Sequence, residues 1–198
     1  MEKTGDTTGI RIGMWLFLYS EIILFGGLFI LYAAYFHAYP DFFAQGGKEL
    51  NRLVGSLNTL ILLVSSFTVA ASITAVQNRK KGQAISLLLV SLFCGLIFLI
   101  NKYFEWSEKI HHDLFPNSQT LQDGPPGLHI FFSLYYVTTG LHALHVILGM
   151  ILLALSLFFV FKGSVHQERF SLLENAGLYW HLVDLIWIFV FPLFYLVL

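Results

Sequence analysis

Charged side chains are scarce in this sequence. Asp, Glu, Lys and Arg make up 12% of its 198 residues, whereas a soluble domain carries about 25%, so there is too little charge to cover a water-facing surface. The 11 basic and 12 acidic residues give a formal net charge of −1, which implies no nucleic acid or other polyanionic partner. The composition therefore excludes an ordinary soluble enzyme and a nucleic-acid-binding protein.

Cysteine and the common catalytic motifs are equally scarce. The single cysteine, Cys94, lies in an apolar run, and one cysteine excludes an intrachain disulfide framework or a cluster of thiolate ligands. The sequence contains no Walker loop, dinucleotide-binding glycine set, nucleophilic serine motif or HExxH zinc motif. None of these missing motifs therefore builds a redox or hydrolytic centre in this chain, and we expect no catalytic residue.

Apolar side chains are abundant: they make up 57% of the residues and give a mean hydropathy of +0.72. A helix needs about 20 apolar residues to cross a bilayer, and five runs reach this length: 12–36, 53–76, 83–106, 129–161 and 176–197. The runs are continuously apolar and lack the two-residue alternation of membrane strands. We expect an all-α membrane protein in which residues 1–198 form a single domain of five transmembrane helices.

The orientation of these helices is predicted from basic residues in the short loops. Arg79, Lys80 and Lys81 lie in the turn between the second and third predicted helices, on the same side as the N-terminus. Because basic loops remain in the cytoplasm, we expect the N-terminus inside and the C-terminus outside.

Glu21 is an ionisable residue within the first predicted helix. It lies about 14 Å from the start of that helix at 1.5 Å per residue, and no basic residue is near it in sequence. Such a carboxyl either handles protons or lines a pocket, or it forms a structural hydrogen bond to another helix.

Two further polar pairs occupy the fourth and fifth predicted helices. His142 and His145 are three residues apart and share one helix face, which suits a metal or haem ligand pair but more often indicates hydrogen bonds between helices. His181 and Asp184 repeat this spacing, so the acid could share a proton with the ring or orient it. Because Asp184 lies at a depth similar to that of Glu21, we expect a polar interior that faces a partner or a cavity.

The outer end of the third predicted helix carries four charged residues: Lys102, Glu105, Glu108 and Lys109. Their spacing permits ion pairs, and a solvated cap at the membrane surface is the expected arrangement. Asn58, in the second predicted helix, is expected to bridge to a neighbouring helix.

Three motifs in order resemble those of haem-copper oxidase subunit III: Ser20-Glu21, residues 139–146 (TGLHALHV) and residues 179–184 (YWHLVD). The resemblance covers essentially the whole chain and is closest to the shorter, five-helix bacterial form of the family. It implies that Glu21 matches the intramembrane glutamate of the family, and that His142, His145, His181 and Asp184 match the polar positions of its last two helices.

The resemblance also implies a function. Such a subunit carries no haem or copper, which lie in partner subunits. It packs against subunit I and other oxidase subunits in the bacterial cytoplasmic membrane, and it supports their stability and proton uptake. The family also binds phospholipid, in a cleft built partly by two helices of the longer, seven-helix form. The alternatives are an accessory subunit of a nitric oxide reductase, a small cytochrome-b-like haem carrier and a free-standing ion transporter.

Overall fold

The protein is all-helical in the part of the chain that the computed structural model describes, residues 7–163 and 170–196. Helices account for 89% of these residues, and no strand occurs among them. The helices are α1 (Thr7–Ala38), α2 (Pro40–Lys48), α3 (Arg52–Gln77), α4 (Lys81–His111), α5 (Gln119–Gln122), α6 (Pro126–Lys162) and α7 (Ser171–Tyr195). Within these ranges, five helices are long and apolar enough to cross a membrane: α1, α3, α4, α6 and α7. The predicted fold class is confirmed.

The helix ends differ from the expected ones in places where polar residues cap or extend a helix. Residues 107–128, which separate the third and fourth predicted helices, contain the end of α4, the short helix α5 and the start of α6. Helix α7 begins at Ser171 rather than at 176. The unexpected helix α2 has Pro40 in its first turn, where the missing N–H costs nothing. The Asn51 side chain caps α3 by accepting hydrogen bonds from the Leu53 and Val54 amides at 3.0 and 3.2 Å.

Helix α7 is the most deeply buried of the five membrane-spanning helices in the described ranges. It packs against α3 and α6, α3 packs along α4, and α4 packs against α6, so that these four helices form a closed ring. Helix α1 lies outside the ring, on α6 and α7. Only 11% of the apolar window of α1 is buried inside the chain, compared with 56% for α7.

Trp180 of α7 joins three helices. Its indole N–H donates a hydrogen bond to the Ser65 hydroxyl of α3 at 3.0 Å. Its ring lies so close to Gly95 of α4 and Gly149 of α6 that an added Cβ would meet it at 3.0 and 2.7 Å. Small residues therefore set how closely α4 and α6 approach α7, as is common in membrane helix packing.

The contact between Gly149 and Trp180 yields a testable prediction. Gly149→Ala places a methyl group against a fully buried indole, and overpacking of this kind costs about 1–3 kcal/mol. We expect Gly149→Ala to have a lower midpoint of thermal unfolding than the unmodified chain, measured in detergent with a fluorescent dye that does not react with thiols. The matched control is Gly27→Ala, because no atom lies within 4 Å of a Cβ at that position; equal midpoints for the two variants would contradict the packing argument.

Candidate functional site

The polar interior of the bundle begins with a contact between α1 and α6. Glu21 Oε2 lies 2.7 Å from His145 Nε2, and His145 Nδ1 lies 2.7 Å from the Leu141 carbonyl oxygen. Because a carbonyl only accepts, Nδ1 carries a hydrogen, and a single proton remains between Nε2 and the carboxyl. The pair is therefore neutral overall, either as acid and imidazole or as carboxylate and imidazolium. A neutral pair reduces the cost of placing ionisable groups at membrane depth.

His142 faces a different helix from His145. Its Nε2 donates to the Val183 carbonyl of α7 at 3.1 Å, and its ring packs against Phe98 and Trp187 with centroids 5.4 and 4.9 Å apart. The two histidines share a face of α6, but their rings diverge to separate partners. No group of three or more His, Cys, Asp or Glu side chains that could hold a metal occurs among the described residues. The geometry favours hydrogen bonds between helices over a shared ligand site.

The expected His181–Asp184 pairing is replaced by a contact with α3. His181 Nδ1 lies 2.6 Å from the Ser66 hydroxyl. Asp184 is 3% exposed, and neither of its carboxyl oxygens forms a hydrogen bond of normal geometry within the described ranges, although Ser66 lies beside it. The i,i+3 spacing puts His181 and Asp184 on one face of α7. It does not reveal their neighbour on α3, Ser66, so this contact could not be predicted from the sequence.

Three of the four charged residues at the end of α4 are buried and only Glu108 is exposed, which corrects the expectation of a solvated cap. Lys102, Glu105 and Lys109 are only 4–5% exposed. Lys102 and Glu105 form an ion pair with Nζ and Oε1 3.3 Å apart, and both contact two tyrosines from other helices. The charges turn into the bundle because α6 and α7 supply hydroxyl groups there.

The tyrosines, Tyr135 of α6 and Tyr195 of α7, complete a compact network. Each hydroxyl donates to Glu105 Oε1 at 2.5 Å. Lys102 Nζ donates to the same two hydroxyls at 3.1 and 2.6 Å, and it lies 5.2 Å from the centre of the Trp187 ring. These four residues, named here the Lys102 network, therefore connect α4, α6 and α7. A tyrosine at the end of an apolar run resembles an interfacial anchor, so sequence reasoning missed both.

Asn58 forms the bridge that was expected of it. Its Oδ1 accepts a hydrogen bond from Asn101 Nδ2 at 2.8 Å, which joins α3 to α4. Asn58 and Asn101 thus face each other within the chain. The expectation that Glu21 and Asp184 belong to a polar interior facing a partner or a cavity stays a prediction. The side chain of Glu21 is 13% exposed, and Asp184 is buried.

These features define a class: a five-helix membrane bundle whose interior polar groups mainly connect its own helices. Comparison with known proteins identifies the family. The family model for cytochrome c oxidase subunit III matches residues 3–197, and the chain belongs to that family. The resemblance inferred from the three motifs is confirmed.

Individual relatives agree with this assignment. The heme-copper oxidase subunit I+III of Aeropyrum pernix is 35% identical over 95% of this chain, and the match spans 23% of that longer protein. Cytochrome c oxidase subunit 3 of Synechocystis is 34% identical over 93% of this chain and 74% of its own length. The protein of the same name from Rhipicephalus sanguineus is 31% identical over 94% of this chain and 70% of its own length.

The Lys102 network predicts an unequal response to single and double substitution. Lys102→Met leaves Glu105 buried without its cation, and removing one partner of a buried pair costs about 3–5 kcal/mol. We expect that variant to unfold at a lower temperature than the double variant Lys102→Met/Glu105→Gln, in which no charge is stranded. Lys80→Met, at an exposed position outside the bundle, is the control. The single variant Glu105→Gln is measured as well. If the loss of stability in the double variant equals the sum of the losses in the two single variants, coupling within the network is contradicted.

Proposed function

We propose that this chain is the non-catalytic subunit III of a respiratory haem-copper oxidase. In this role it packs against subunit I, keeps that subunit stable during turnover and supports proton uptake as electrons pass to oxygen. The observation that carries the proposal is the family match across residues 3–197. The relative from Aeropyrum pernix adds support, because its name places subunits I and III in one protein.

The arrangement of the histidines supports a role without a redox group in this chain. A haem carrier would need imidazole nitrogens directed at one iron, whereas His142 bonds the Val183 carbonyl and His145 bonds Glu21. The haem and copper of the complex would lie in partner subunits. The relatives are named for oxidases, which favours oxygen over nitric oxide as the acceptor.

The Glu21–His145 pair is the group best suited to influence proton movement. It holds one proton that can lie on either partner without changing the net charge, and it lies on α1, the helix that is least embedded in the bundle. A role of this kind is that of a positioning or buffering group. The three motifs match those of the family, and on that match we propose that the chain carries the family's intramembrane polar positions at Glu21, His142, His145, His181 and Asp184.

The proposed location is the bacterial cytoplasmic membrane, with the N-terminus in the cytoplasm. Five spans place the two termini on opposite sides, and the basic turn at 79–81 supports this direction. Alkaline phosphatase is active only outside the cytoplasm, so its fusion to the C-terminus should be active. An inactive C-terminal fusion, together with an active fusion at the 79–81 turn, would show the opposite orientation.

Affinity purification tests the proposed function directly. A tag on this chain should recover a haem-containing oxidase subunit in equal amount, with oxygen consumption that survives purification. The chain separated from its partners should show no Soret absorption. A Soret band carried by the isolated chain and lost in His142→Ala or His145→Ala would instead establish a haem carrier.

Substitution of Glu21 separates a structural role from an obligatory proton carrier. We expect Glu21→Gln to assemble and to retain most oxygen consumption, because the amide can still hydrogen-bond to His145 Nε2. Asp123→Asn, in an exposed segment before α6, is the matched control. Loss of turnover in a fully assembled Glu21→Gln complex would show that the titratable proton itself is required, and loss of the complex would show a requirement in assembly.

A further inference from the structure

Asp184 is a carboxyl group at membrane depth without a close hydrogen-bond partner. It lies near the middle of α7 and is 3% exposed. Among the residues that the structure describes, none forms a hydrogen bond of normal geometry with either carboxyl oxygen. An ionised carboxylate in apolar surroundings is costly unless a cation or several donors compensate for the lost water. The neutral acid, which has a hydrogen to donate, is therefore the favoured form of this side chain.

The other ionisable groups of the interior have partners elsewhere. Glu21 and His145 contact each other across α1 and α6, and Lys102 is held in its own network at the end of α4. His142 donates to a backbone carbonyl of α7. The titratable side chain that shares a face of α7 with Asp184 is His181, and its contact on α3 is a serine hydroxyl.

The Ser66 hydroxyl connects the acid to the ring. Its oxygen lies 2.6 Å from Nδ1 of His181 and beside Asp184. A hydroxyl has one hydrogen and two lone pairs, so it can accept from one neighbour while it donates to the other. Asp184, Ser66 and His181 thus form a continuous row of hydrogen-bonding groups across the contact between α3 and α7.

The two ends of this row differ in burial. Asp184 is buried, whereas Ser66 and His181 are half-buried. Phe67, next to Ser66, and Leu185, one turn after His181, are exposed, so this edge of the contact lies at the outer surface of the bundle. Because Nδ1 of the ring faces Ser66, Nε2 is the nitrogen left to exchange a proton with the surroundings.

We propose that Asp184, Ser66 and His181 form a proton relay that loads and unloads the buried acid through the half-buried ring. Chains of acids and histidines carry protons in this way in other membrane proteins. The relay lies between α3 and α7, apart from the Glu21–His145 pair between α1 and α6. Its use in the proton uptake of an oxidase rests on the function proposed above, whereas the relay itself is a property of this chain.

Each step of the relay conserves protons and involves no electron transfer. Before uptake, Ser66 donates to the Asp184 carboxylate and accepts from the hydrogen on Nδ1 of His181. A proton from the surroundings forms an N–H bond at Nε2. The Nδ1–H bond then breaks as that hydrogen bonds to the Ser66 oxygen, while the former Ser66 hydrogen forms the O–H bond of the acid. The hydroxyl is regenerated, and release follows the reverse path.

Infrared spectroscopy of the tagged chain, purified with its partner subunits, tests the relay. The C=O band of a protonated carboxyl at neutral pH should disappear in Asp184→Asn and persist in Glu21→Gln. This band should be lost at alkaline pH and return when a caged proton is photolysed, and the rate of its return measures proton delivery to Asp184. The measurement requires no haem, so it separates failure of the relay from failure of the proposed oxidase function.

Variants of the middle and outer groups distinguish a relay from a purely structural contact. We expect Ser66→Ala to slow the return of the Asp184 band about tenfold, because one hydrogen-bonded step is lost. Ser66→Thr keeps the hydroxyl and should restore the rate, which loss of packing alone would not explain. His181→Phe should slow the return as well. Ser56→Ala is the matched control, since that exposed hydroxyl bonds only within α3.

Three results would overturn the proposal. The first is the absence of an acid band that depends on Asp184, which would show an ionised carboxylate. The second is a band that persists at every pH at which the complex stays intact, which would show a static acid. The third is an equal rate of return in the unmodified chain and Ser66→Ala, and this comparison remains decisive if His181→Phe fails to assemble.

Discussion

The ion pair between Lys102 and Glu105 fixes the arrangement of the three helices that meet there. An ion pair taken out of water is stable only when further hydrogen bonds compensate for the lost solvation. Here Tyr135 and Tyr195 supply those bonds from α6 and α7, and both hydroxyls reach the same carboxyl oxygen. Any rotation of α4 that exposes one charge also breaks contacts to two other helices. The pair therefore constrains the rotation of each helix, which apolar surfaces alone specify poorly in lipid.

The five membrane spans could be predicted from the sequence because the bilayer sets a simple requirement of length and polarity. The helix α2 could not, since its nine residues (PDFFAQGGK) are too few to cross a bilayer and contain two glycines, which weaken a helix. Its position depends on contact with α6, where the Phe131 ring packs against the Cα of Gly46. Short interfacial helices of this kind are defined by tertiary contact, which sequence spacing does not reveal.

The polar interior was predicted as a set of residues but not as a set of pairs. Glu21 and His145 are separated by 124 positions, and no local pattern shows that α1 and α6 bring them together. The spacing of Lys102 and Glu105 did predict their ion pair, whereas their burial depends on Tyr135 and Tyr195. Depth can thus be estimated from position along a helix, but rotation about the helix axis requires knowledge of the neighbouring helices.

The length of α6 has a mechanical consequence. Its 37 residues extend about 55 Å, whereas the hydrocarbon layer is about 30 Å thick. A helix cannot shorten, so a thinner bilayer is accommodated by tilt or by greater protrusion. Because α6 carries His145 near its centre and Tyr135 nearer one end, one tilting motion would reach both polar contacts. Bilayer thickness would therefore act on these two polar contacts together, through the tilt of one helix.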